Sequence, residues 1–90
     1  MKYKFRASET FWREFYRLPA EQKESVRKVW QIFQIDPFAP SLRVHKIHSL
    51  SALYKRVIYS VAIENDLRAV FYLEEDTVFT VDLGTHDIYG

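Results

Sequence analysis

Apolar and charged residues alternate over residues 2–7 (KYKFRA), the two-residue period of a short strand. The period then lengthens. Phe11, Trp12, Phe15 and Leu18 recur at three- and four-residue spacing behind Ser8, a residue suited to accept a hydrogen bond from the free amides of a first helical turn. Pro19 disfavours helical geometry in Leu18 but suits the first turn of another helix, so a break falls between the two. Val26, Val29, Trp30 and Phe33 form an i, i+3, i+4, i+7 stripe that carries the second helix to about Ile35, where Asp36-Pro37 stops it. Together the two segments predict an αα-hairpin with one apolar face.

Residues 37–50 contain two prolines and read as a loop. Three strands are predicted after it, over 53–63, 67–73 and 77–83, all rich in Val, Ile, Tyr, Phe and Leu. Glu64-Asn65-Asp66 and Glu74-Glu75-Asp76 supply the turns, and Gly84 ends the last strand before a tail at 85–90. Helices followed by strands define an α+β fold, β-αα-βββ, with the hairpin on one face of an antiparallel sheet and residues 1–90 forming a single domain. Within 67–73 the alternation assigns Leu67, Ala69, Phe71 and Leu73 to the helix side and Arg68, Val70 and Tyr72 to the open side.

Composition narrows the class. The 90 residues are 48% hydrophobic and 17% aromatic, and large rings let a short chain bury a sufficient core. No cysteine is present, which excludes a disulfide framework and a thiolate zinc site and fits the cytoplasm. No signal-peptide core and no apolar run near 18 residues interrupts the chain, so a soluble protein is expected. His45 and His48 stand three apart without an evident third ligand, and a solvated loop is expected there rather than a metal site. Charge is unevenly spread. Residues 1–56 hold 12 Lys or Arg against 5 Asp or Glu, whereas residues 57–90 hold one Arg, Arg68, against 7 acids. A basic front half of this kind faces a polyanion or an acidic protein.

The segments FWREFYRLPAEQKESVRKVWQIFQIDP, PSLRVHKI, NDLRAVFYLEEDTVFTVDLG and GTHDIYG, taken together, resemble the RelE/ParE superfamily of type II toxin–antitoxin toxins. The more specific features are an arginine entering the penultimate strand (LRAVF) and a His and a Tyr just past the last strand (GTHDIY), which point to the RelE-like mRNA interferase branch. The resemblance implies a curved antiparallel sheet and a ribosome-dependent, metal-independent endoribonuclease that cleaves mRNA in the decoding site and so inhibits translation, with no cofactor. It implies that Arg68 grips the phosphate, that His86 transfers a proton, and that Tyr89 stacks on a base or assists proton transfer. Arg43, Lys46, Lys55 and Arg56 are then the expected RNA-backbone contacts, and Val70 and Tyr72, beside Arg68, the expected cover for a cognate antitoxin. The expected partners are that antitoxin, in a hetero-oligomer, together with the ribosome and mRNA. Ala62 departs from the pattern, standing where relatives carry a basic residue. The same fold also serves ParE-like gyrase poisons, against which the terminal His/Tyr pair argues, and catalytically weak antitoxin-binding relatives.

Overall fold

The computed structural model describes residues 3–85 and Ile88. Its elements run β1 (Lys4–Ala7), α1 (Glu9–Arg17), α2 (Ala20–Ile35), a 3₁₀ turn at Pro40–Leu42, β2 (His45–Lys46), α3 (His48–Tyr54), β3 (Tyr59–Glu64), β4 (Leu67–Glu74) and β5 (Thr77–Gly84). The five strands form one sheet in the order β1-β5-β4-β3-β2. All neighbours are antiparallel except β1, which lies parallel to β5 with Lys4 opposite Thr77. Among the described residues no helix is long and apolar enough to cross a membrane.

Ser8 begins α1 as the sequence predicts. Its hydroxyl accepts from the Phe11 amide at 3.0 Å and donates to the Val81 carbonyl at 2.7 Å, so one side chain caps the helix and ties it to β5. Leu18 is extended, and Pro19 stands at the N-cap of α2. The apolar faces of both helices meet the sheet in a core that includes Phe11, Phe15, Val26, Phe33, Val61, Leu67, Ala69, Phe71, Val78 and Leu83. Phe33 and Phe71 meet edge to face at 4.9 Å, the geometry aromatic quadrupoles favour. The expected α+β fold, with the helical hairpin against one sheet face, is the one observed.

The segment before β3 differs from the expectation. Residues 48–54 are helical rather than loop and strand, and β3 begins at Tyr59, six residues later than the alternation suggested. A non-local bond explains this. The Ser51 hydroxyl donates to the Ile47 carbonyl at 2.8 Å and accepts from the Ile58 amide at 2.9 Å, which fastens α3 across the start of β3. Ile47, Leu50 and Ile58 then close over Val70 in a second apolar cluster, joined by Tyr72, Val81 and Ile88. The sheet face opposite the hairpin is therefore partly roofed.

Candidate functional site

Arg68 sits on that opposite face, as the alternation requires: its flanking residues Leu67 and Ala69 belong to the hairpin core. Its register partners are Ala62 on β3 and Gly84 on β5. A methyl group and a hydrogen are the smallest neighbours two strands can offer, so adjacent side chains leave the guanidinium room. Gly84 has a further reason to lack a side chain, because a Cβ there would stand 2.6 Å from Cγ2 of Ile88. Ile88 thus lies close beside the register partner of Arg68. His86 and Tyr89, the other catalytic residues expected from the sequence, lie outside the described residues.

An open polar groove of about 480 Å³ runs beside Arg68, lined by Ser41, Arg43, His45, Ala62, Ile63, Glu64, Asn65 and Arg68. Its far wall comes from the segment that opens with the 3₁₀ turn. Leu42, 1% exposed, anchors that segment in the core. Arg43 follows in the left-handed region with φ 50. Glycine adopts that conformation without steric cost, whereas other residues pay for it, so a guanidinium is kept at a strained position. Val44 packs against the hairpin core, and His45 pairs with Ser60 on β3, its Nδ1 3.3 Å from the Arg43 carbonyl. A register shift between Ala62 and Glu64 bends β3 along the groove's near wall. Oε1 of Glu64 is shielded from water and meets no hydrogen-bond donor among the described residues. The groove therefore gathers two guanidinium groups, an imidazole and one carboxylate.

Of the cations expected to hold RNA, the groove unites Arg43 with Arg68 and leaves three outside its lining. Lys46, next to His45 on β2, pairs with Tyr59 and is exposed. Lys55 and Arg56 do not lie on a strand, contrary to expectation. Lys55 is the C-cap of α3 with φ 56, and Arg56 lies between α3 and β3. The Arg56 guanidinium sits 4.2 Å over the Tyr72 ring and bonds Glu74 at 2.9 Å, while Tyr72 stacks on Phe79 at 5.0 Å. That cluster occupies the other end of β4, about 13 Å from Arg68 at the usual rise of a strand. Val70, expected to be an open antitoxin contact, is 1% exposed because α3 covers it, so the exposed part of that expectation reduces to the half-buried Tyr72.

His45 is the groove residue that sequence reasoning set aside. The available signal was the alternation Arg43-Val44-His45, which puts both polar side chains on one side of an apolar anchor. Among the described residues no three His, Cys, Asp or Glu side chains are grouped to hold a metal ion.

The arrangement of helical hairpin and five-stranded sheet is the RelE/ParE-like fold. A chain of the archaeal RelE–RelB complex from Pyrococcus horikoshii OT3 is similar with a TM-score of 0.72, over 94% of this chain and 96% of that one, at 13% identity. The YoeB/ParE toxin from Agrobacterium tumefaciens follows at a TM-score of 0.69 and 15% identity, covering 92% and 98% of the two chains. A copper-bound mutant toxin from Helicobacter pylori has a TM-score of 0.63 and 18% identity, covering 98% of each. Neither a protein-family model nor a curated protein sequence matches this chain. At such identities the shared property is the fold.

Proposed function

We propose that this chain is the toxin of a toxin–antitoxin pair and that it cleaves mRNA on the ribosome. The observation that carries the reading is the groove, where Arg68 and Arg43 face one polar space with His45 between small and polar walls. Two forked guanidinium groups suit a phosphodiester, since each presents paired donors to phosphate oxygens. Neighbours that are toxins with the same fold, one of them in complex with RelB, support both the toxin assignment and an antitoxin partner.

Cleavage follows from a ribose 2′-hydroxyl attacking the adjacent phosphorus. The 2′-oxygen–phosphorus bond forms, the phosphorus–5′-oxygen bond breaks, and the products are a 2′,3′-cyclic phosphate and a 5′-hydroxyl. One group must take the 2′ proton, another must protonate the departing 5′-oxygen, and a cation must meet the charge that grows on the phosphate. Arg68 supplies the cation, with Arg43 as its second. His45 and His86 are the imidazoles this reading assigns to proton transfer, and Tyr89 stacks on a base or assists that transfer. The basic front half holds RNA and ribosome electrostatically, so binding weakens as salt rises.

The test is cleavage of a defined mRNA on programmed ribosomes by the wild-type chain and by Arg68→Ala, His45→Ala and His86→Ala. The expected result is decoding-site cleavage that falls about 10²-fold or more for Arg68→Ala and for at least one histidine variant. A folded wild-type protein that cuts nothing refutes the ribonuclease reading, and inhibition of gyrase supercoiling by that protein would assign it to the other branch of the fold.

A further inference from the structure

A second groove, of about 360 Å³, lies between α1 and α2 and shares no lining residue with the one beside Arg68. Phe11, Trp12 and Phe15 from α1 and Trp30 from α2 line it. Trp12 meets Phe11 at 81° and Phe15 at 89°, and Trp30 is tilted 35° from Phe11, so a flat ring entering the groove finds ring edges and ring faces to pack on. The polar groups of the lining are Arg27 and Gln31, both exposed and four apart on α2, hence on one side of it. A space of this size, walled by aromatic side chains with a few convergent polar groups, has the ordinary form of a small-molecule site. No Asp or Glu lines it. The Arg27 guanidinium lies 5.7 Å over the Phe15 ring and reaches Glu24 at 3.3 Å in an exposed pair. Exposed pairs are weak and a guanidinium carries five N–H donors, so Arg27 keeps donors for an incoming anion.

The floor of this groove bears an independent mark. Phe11, Val26 and Trp30 line both the groove and a cavity of about 10 Å³ against the sheet, which Thr80 of β5 also lines. Thr80 is 1% exposed, and its Oγ1 meets no hydrogen-bond partner among the described residues. The cavity is at the lower limit for a water, and a lining otherwise of Phe, Val, Ile, Ala and Trp does not offer such a water the two to four partners it needs. A buried hydroxyl without a partner calls for an explanation, and a donor on a bound molecule supplies one.

We propose that the groove between α1 and α2 binds a small, flat heteroaromatic carboxylate, its ring against Phe11, Trp12 and Trp30, its ring N–H toward Thr80 and its carboxylate on Arg27 and Gln31. The cavity beside Phe11 and Trp30 gives their rings room to shift as the molecule enters. A cation of the same shape meets Arg27 as a like charge and is disfavoured. The inference is independent of the ribonuclease reading, because the two grooves have no lining residue in common.

The experiment titrates the full chain with three probes, followed by nuclear magnetic resonance. Indole-3-propionate has the proposed groups, tryptamine carries an ammonium where the first has a carboxylate, and 3-(1-naphthyl)propionate lacks the ring N–H. Indole-3-propionate is expected to bind with a Kd of about 1 mM or tighter, ordinary for its size, and to shift the Trp12, Arg27 and Trp30 signals. Tryptamine should bind about tenfold more weakly. Arg27→Gln, at an exposed site, should weaken indole-3-propionate about fivefold and level its advantage over tryptamine, whereas Lys28→Gln, the neighbouring exposed cation, should change it less than about twofold. Thr80→Val keeps the shape and removes the unpartnered hydroxyl without loss of stability; it should weaken indole-3-propionate about threefold and leave 3-(1-naphthyl)propionate unchanged. Equal binding of tryptamine, an unaltered affinity in Arg27→Gln, an equal loss in Lys28→Gln, or a Thr80→Val effect that is absent or the same for both propionates overturns the proposal. So does a wild-type dimer in light scattering that Trp12→Ala dissolves, which assigns the groove to a second copy of the chain, or an oligouridylate that displaces indole-3-propionate, which assigns it to nucleic acid.

Discussion

A single hydroxyl, that of Ser51, holds α3 over the start of β3, and its removal has a calculable cost. The Ile58 amide is donated to Ser51 Oγ at 2.9 Å, and Ile58 is 0% exposed. In Ser51→Ala that amide stays buried with no acceptor, a loss of about 1–3 kcal/mol. The Ile47 carbonyl loses one of two donors but keeps the Ser51 backbone amide at 2.9 Å, so its share is small. Alanine recovers roughly 0.5 kcal/mol of helix propensity. The net expectation is destabilisation by about 1–2 kcal/mol, read as a lower urea midpoint at unchanged slope and a melting temperature lower by about 4–8 °C per kcal/mol. Hydrogen exchange localises it: the Ile58 amide should exchange about 5–30-fold faster, and the Phe71 amide, in the hairpin core, should accelerate only as far as global stability falls. Ser51→Thr retains the hydroxyl and should restore most of the loss. A change below about 0.5 kcal/mol in Ser51→Ala, with Ile58 exchange unaltered, would refute the claim that this hydroxyl fastens α3.

Other substitutions probe the turns and the groove. Glu75 opens the β4–β5 turn at φ 57, and Glu75→Asn should raise the unfolding free energy by about 0.5–1 kcal/mol in urea titration, since asparagine tolerates that conformation better. Arg43→Gly should leave stability unchanged or slightly raised while reducing RNA affinity and its salt dependence, measured by binding at two ionic strengths. Gly84→Ala puts a methyl 2.6 Å from Ile88 and should cost about 1–3 kcal/mol, or displace the tail and lower mRNA cleavage at nearly wild-type stability; urea unfolding and the cleavage assay separate the two.

The helical hairpin and the two C-terminal strands were legible because their signals are local. Ser8 and Pro19 mark helix boundaries, and the stripe from Val26 to Phe33 and the alternation from Leu67 to Leu73 repeat within a few residues. What escaped depended on distant partners. α3 rests on a bond between Ser51 and Ile58 across a chain reversal, and the Tyr, Val and Ile content after it mimics a longer strand. The alternation assigned Val70 to the correct face, yet nothing near it in sequence reveals a roof made by Ile47, Leu50 and Ile58. Arg68 was legible as the lone cation of the acidic half, whereas His45 gained meaning only when β2 paired with β3 beside the groove. Lys55 and Arg56 were displaced from the groove with the strand that was expected to carry them.

The parallel pairing of β1 with β5 bears on when the molecule becomes whole. Lys4 is aligned with Thr77, and Ser8 donates its amide to Thr80 and its hydroxyl to Val81. β1 and Ser8 are thus completed by residues more than 70 positions later. On a ribosome extending at about 5–20 residues per second, the αα-hairpin can condense early but β1 waits for the last strand. Such closure carries a large loop-entropy cost and slows the final step of assembly. Gly84, the register partner of Arg68, ends the strand that β1 awaits, so the neighbour of Arg68 on that side arrives with it. A chain in synthesis therefore holds β1 for about 70 residues before the strand that pairs with β1 exists, an interval in which the edge of β1 is open to another strand.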